Sequence, residues 1–116
     1  MKRDVSLYLS DIVQNMDDAI EYVKEMTYEQ FVKDSRTVKA VVRSIEIIGE
    51  AAKHVPEEIR VKNPSIPWKN MAGMRDKCIH DYSGVDHETV WYVVKDDIPV
   101  IRPKIADLAE KIRAGK

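Results

Sequence analysis

Val38-Lys39-Ala40-Val41-Val42-Arg43-Ser44-Ile45-Glu46-Ile47-Ile48-Gly49-Glu50-Ala51-Ala52 is the stretch that decides the fold class. Val38, Val41, Val42, Ile45, Ile48 and Ala52, continued by Val55, recur at intervals of three and four, the period of a helix with one buried face. Much of that stripe is β-branched, but the residues do not alternate as a half-buried strand requires. Ser35 reads as the N-cap of this helix, and Pro56 lies just past its end. Arg43, Glu46 and Glu50 make a polar stripe on the opposite side. Such a stripe ordinarily faces solvent; in a bundle of two chains it could also line or bridge a cleft.

The same period continues on either side. Val5, Tyr8, Leu9, Ile12, Met16, Ala19, Ile20 and Val23 predict a first helix over residues 4–25. Thr27 is placed to cap a short helix from Tyr28 to Lys33. Pro56-Glu57-Glu58 suits the first turn of a brief helix ending near Lys62, and the prolines of 63–67 read as an irregular connection. A further helix is expected from Trp68 through Met71, Met74 and Cys78 to Tyr82, ended by Ser83-Gly84. Asp86 is a good N-cap for His87 to Lys95. Pro99 predicts a break or kink, with Asp97 as a candidate new cap, before a last helix carrying Ile101, Ile105, Leu108 and Ile112. No repeat, low-complexity tract or linker interrupts the 116 residues, so 1–116 reads as one all-α domain.

Nineteen basic and 20 acidic residues give a formal charge of −1, and the signs are interspersed. This excludes the broad basic face of a protein that coats nucleic acid, and predicts weak non-specific binding. It argues against DNA as a partner without excluding RNA as a substrate. Cys78 is the single cysteine and has no internal disulfide partner, which suits a reducing compartment. Without a signal-peptide-like apolar run or a span long enough for a membrane, the expected location is the cytoplasm.

The densest group of reactive side chains is Arg75-Asp76-Lys77-Cys78-Ile79-His80-Asp81-Tyr82. Arg75 can fork onto phosphate oxygens, His80 can act as acid or base at neutral pH, and Tyr82 carries a phenol. The plain alternative is a solvated helix end containing one histidine. On a straight helix Arg75 and Tyr82 nearly align, whereas Arg75 and His80 point roughly 140° apart. A site using both needs the Arg to wrap, the helix to loosen before His80, or a second copy of the chain. RNA cleavage without a metal needs one group to take the 2′-OH proton and another to protonate the leaving oxygen. One chain offers one such His; a two-fold dimer offers two, with two Arg side chains for the phosphorane charge.

Arg75 through Tyr82 resembles the R-x4-H-x-Y signature of the HepT-like toxins, a branch of the HEPN superfamily. The likeness extends to Arg43 through Ala52, to Trp68 through Arg75, and to Val90-Trp91 with Asp97-Ile98-Pro99, and so spans essentially the whole chain. The resemblance implies a homodimeric HEPN bundle of about five helices with the two motifs facing across a cleft. It implies a metal-independent endoribonuclease toxin that needs no cofactor, with Arg75 and His80 catalytic. It also implies an antitoxin partner, a minimal nucleotidyltransferase of the MntA type that transfers AMP to Tyr82. The added bulk and negative charge would then obstruct an RNA phosphate at Arg75. The rival readings are a non-catalytic interaction module docking that partner, and a nucleotide-binding regulator that never cleaves.

Other candidates weigh less. Glu50 and His54 sit four apart on one face, but two ligands do not make a metal site. Asp76 and Asp81 flank the motif and either could orient His80 or repel phosphate. With Glu50 and Arg43, Asp81 is a candidate cleft residue. His87 reads as a solvated first-turn residue. Tyr8, Trp68, Trp91 and Tyr92 read as core or dimer-interface packing rather than as a base-stacking platform.

Overall fold

The computed structural model describes residues 4–80 and 84–115. The stripe on Val38–Ala52 becomes the buried face of α3 (Ser35–Lys53). It packs between α1 (Val5–Tyr22) and the short α5 (Trp68–Ala72) and α6 (Met74–Cys78). α1 lies in turn against α8 (Ile98–Arg113). Leu9, Ile12 and Met16 of α1, Val41, Ile45 and Ile48 of α3, and Ile98 and Ile105 of α8 are fully buried and form one core. Arg102 on α8 grips Asp17 on α1 through two bonds of 2.9 and 3.1 Å. Ser44 is the single buried polar residue among those described.

Local chemistry explains most of the boundaries. Thr27 caps α2 (Tyr28–Lys33) in a reciprocal capping box with Gln30. The cap of α3 is Asp34 rather than Ser35: its Oδ1 accepts the Thr37 N–H at 3.1 Å. The carboxylate reaches the third N–H of the first turn, while Ser35 is already helical. The brief helix after Pro56 is α4 (Glu57–Lys62).

Three expectations need correction. The helix foreseen from Trp68 to Tyr82 is two helices, α5 and α6, separated at Gly73. α6 stops at Cys78, because Ile79 takes extended dihedrals (φ −127°, ψ 128°). Ile79 and His80 form β1, antiparallel to β2 (Gly84–Val85), with Ile79 opposite Val85 and His80 opposite Gly84. Gly84 has φ +80°, a conformation that favours glycine where the chain returns. Lastly, the irregularity expected at Pro99 lies upstream: α7 (His87–Tyr92) runs into a π-helical turn, Val93–Asp97, and then directly into α8. Pro99 cannot donate to the carbonyl four residues before it, and the widened turn absorbs that missing bond. Asp97 is helical and makes no side-chain cap; it faces Lys77 at 3.9 Å instead. The described residues therefore hold eight α-helical segments rather than about five, several of them one or two turns long.

One backbone approach sets the relation of α3 to the motif. A Cβ on Gly49 would lie 3.2 Å from the Met71 carbonyl oxygen and 3.3 Å from that of Ala72. Glycine lets α5 settle directly on α3, which brings α6 over Glu46, one turn before Gly49 on the same helix.

Candidate active site

Arg75 lies on α6 and His80 on β1, with the end of the helix between them. Of the three arrangements that the helical wheel left open, the structure shows the helix ending before His80, with the stop at Cys78. Each residue meets a carboxylate from another element. Arg75 Nε donates to Glu46 Oε2 at 3.2 Å, and Arg43 Nη1 donates to Glu46 Oε1 at 3.1 Å. One carboxylate therefore joins two guanidinium groups on the outer edge of α3 and α6. Those bonds, Arg43 first, hold the Glu46 carboxyl below its ordinary range.

His80 faces Asp86, with Nε2 and Oδ2 3.5 Å apart. Asp86 is also the N-cap of α7, since its Oδ1 accepts the Thr89 N–H at 3.1 Å. That backbone bond is the main reason its carboxyl lies below the usual range, with His80 adding to the effect. Both His80 and Arg75 are about half exposed, so a substrate can reach them from solvent.

The remaining candidates separate. Arg43 joins the Arg75 edge through Glu46. Glu50 pairs with Lys53 at 3.2 Å and lines a cleft of about 220 Å³ together with Arg43, Tyr8 and His54. His54 stacks on Tyr8, ring centres 5.2 Å apart, rather than pairing with Glu50. Tyr82 and Asp81 lie outside the described residues. Asp76 is largely exposed and reaches Arg75 only at 3.9 Å, so it is not the partner of His80. Trp91 packs on Phe31 and carries Lys95 above its ring. Trp68 is buried, and Tyr92 is exposed on the single chain. No group of three or more His, Cys, Asp or Glu capable of holding a metal occurs among the described residues, and no described helix is long and apolar enough to cross a membrane.

Sequence reasoning missed two partners, Glu46 for Arg75 and Asp86 for His80. Glu46 was visible only as part of a polar stripe, because its partner is 29 residues away. Asp86 was read as a cap, and its second oxygen gave no signal without the hairpin.

The all-helical bundle, with the helix that carries Arg75 ending before His80, is consistent with a HEPN-type domain. The sequence matches the family described as Ribonuclease HepT-like over residues 12–108. It is 49% identical over 114 residues to a protein of Methanocaldococcus jannaschii named "Putative RNase", covering 95% of this chain and 98% of that one. A "Probable ribonuclease HepT" of Thermococcus cleftensis is 44% identical over 108 residues, 93% of this chain and 98% of that one. A "Putative RNase" of Caldanaerobacter subterraneus subsp. tengcongensis is 44% identical over 104 residues, 90% and 93% of the two chains. No solved structure gives a significant match. The chain belongs to the HepT-like ribonuclease family, and by family it is a ribonuclease.

Proposed function

We propose that this chain is a cytoplasmic, homodimeric endoribonuclease toxin that cleaves RNA without a metal, and that a minimal nucleotidyltransferase silences it by transferring AMP to Tyr82. The observation that carries the reading is the end of α6 at Cys78, which releases His80 from the helix while Arg75 stays in its last turn. An Arg and a His that a straight helix would point apart are thereby free to serve one phosphodiester.

The chemistry follows from their types. A neutral imidazole of His80 takes the proton of a ribose 2′-OH, and the oxygen attacks the adjacent phosphorus. The terminal N–H groups of Arg75 hold the extra negative charge of the pentacoordinate phosphorus, with Nε already committed to Glu46. The bond to the 5′ oxygen breaks, that oxygen takes a proton from an imidazolium, and a 2′,3′-cyclic phosphate and a 5′-OH result. His80 of a second copy is the natural source of that proton.

Cleavage of RNA by the purified chain in EDTA tests this directly. His80→Ala and Arg75→Ala should each abolish cleavage and growth inhibition while leaving the fold and the dimer intact. Full activity in either variant would overturn the assignment. Co-expression with a neighbouring nucleotidyltransferase should add the mass of one AMP to Tyr82, and no addition would remove that partner from the proposal.

A further inference from the structure

Asp86 sits where the hairpin runs into α7, and its two oxygens face different neighbours. Oδ1 accepts the Thr89 N–H at 3.1 Å, and Oδ2 lies 3.5 Å from His80 Nε2. Capping α7 uses only the first of these contacts. The backbone fixes the second: His80 pairs with Gly84, and the Asp86 N–H donates to the Cys78 carbonyl at 2.8 Å. Asp86 is thus two residues beyond the direct partner of His80, the diagonal position of an antiparallel ladder, within reach of longer side chains.

We propose that Asp86 is the positioning residue of His80, holding the imidazole at Nε2 so that Nδ1 is the nitrogen that exchanges a proton with the substrate. The proposal rests on the reading of His80 as acid or base given above. An ionised carboxylate beside Nε2 favours the tautomer that carries its proton there and leaves the Nδ1 lone pair for the 2′-OH. It also stabilises the imidazolium that forms once Nδ1 has taken the proton. Asp86 is a carboxylate at neutral pH, and the Thr89 bond fixes its orientation, so it is already in place before RNA binds. At 3.5 Å the contact is open, and it shortens when the ring becomes charged.

The capping role would mislead an alanine scan, so the test uses Asp86→Asn and Asp86→Ser, both good N-caps. In Asp86→Asn the amide oxygen keeps the Thr89 bond and the NH2 group faces Nε2, which reverses the preferred tautomer. Imidazole 15N NMR of the full chain at neutral pH should show the Nε2-protonated ring in the wild type and the Nδ1-protonated ring in Asp86→Asn. Both variants should lose about a hundredfold in kcat with KM and Tm nearly unchanged. Wild-type kcat and wild-type 15N shifts in Asp86→Asn, with His80→Ala inactive, would overturn the role of Asp86 alone. Full cleavage by His80→Ala would instead overturn the reading of the site on which the proposal stands.

Discussion

Glu46 and Arg75, 29 residues apart in the chain, meet at 3.2 Å where α3 passes beneath α6. The carboxylate accepts from Nε, so that bond leaves the terminal N–H groups of the guanidinium uncommitted to Glu46. Glu46 is therefore placed to fix the orientation of Arg75.

The first prediction separates that role from simple charge. A carboxylate beside a phosphate site repels substrate, so its removal alone should lower KM. Loss of positioning should lower kcat. Glu46→Ala is expected to reduce kcat about tenfold or more with KM unchanged or lower, and Glu46→Gln, which still accepts from Nε, should recover most of the loss. Steady-state kinetics on an RNA oligonucleotide decides it; an unchanged kcat in Glu46→Ala would show that Arg75 needs no such support.

The contact between α3 and α5 offers a second prediction. In Gly49→Ala the new methyl must push two backbone carbonyls, at 3.2 and 3.3 Å, by a few tenths of an ångström. Removing a glycine from a helix gains up to about 1 kcal/mol, so the net change in stability should be small. Gly49→Val adds two more carbons to the same space and should cost about 1–3 kcal/mol. Because Gly49 sets the height of α6 above Glu46, cleavage should fall in both variants, and in Gly49→Ala by more than its Tm suggests. A Gly49→Val protein as stable as the wild type would contradict the close approach.

These sites also show how far the sequence could be read. The stripes Leu9–Met16, Val38–Ile48 and Ile101–Leu108 were legible because a three-four period has a single structural meaning, and the Thr27 and Asp86 caps because their chemistry is local. The stop at Cys78 was not legible. Arg75 through Ile79 carries no breaker, and the extended conformation of Ile79 comes from pairing with Val85, a contact formed only after the chain has turned. The break at Gly73 had a glycine as its sole mark. The family likeness located Arg75 and His80, but the carboxylates behind them came from tertiary packing.

Acid should weaken the fold with a definite sign. Asp34 and Asp86 are held below the ordinary carboxylate value of 3.8 by their caps, and Glu46 is held below its ordinary 4.5 by Arg43 and Arg75. A depressed folded pKa adds stability that is complete above the unfolded value and is lost as pH falls through the folded one. The stability these groups add should therefore be fully present and nearly constant between pH 7 and about 5 in thermal melts, and should decline below about 4. Asp34→Asn keeps a capping oxygen but cannot titrate, so its acid limb should be shallower. A limb as steep as that of the wild type would assign the acid loss to other groups.

Cys78 ends α6 immediately before Ile79 and His80, fully buried, and burial raises its thiol to about 11. At pH 8 only about one molecule in a thousand would carry the thiolate, the form that reacts. Iodoacetamide should consequently leave the native protein unmodified over minutes and label it promptly in guanidinium. The thiol is buried in the core, so Cys78→Ala should preserve cleavage while losing about 1 kcal/mol of stability from the small cavity. Rapid labelling under native conditions would mean that the α6–β1 junction opens on its own. His80 would then be held by the arrival of RNA rather than by the hairpin, since the strand that carries it begins at the residue after this sulfur.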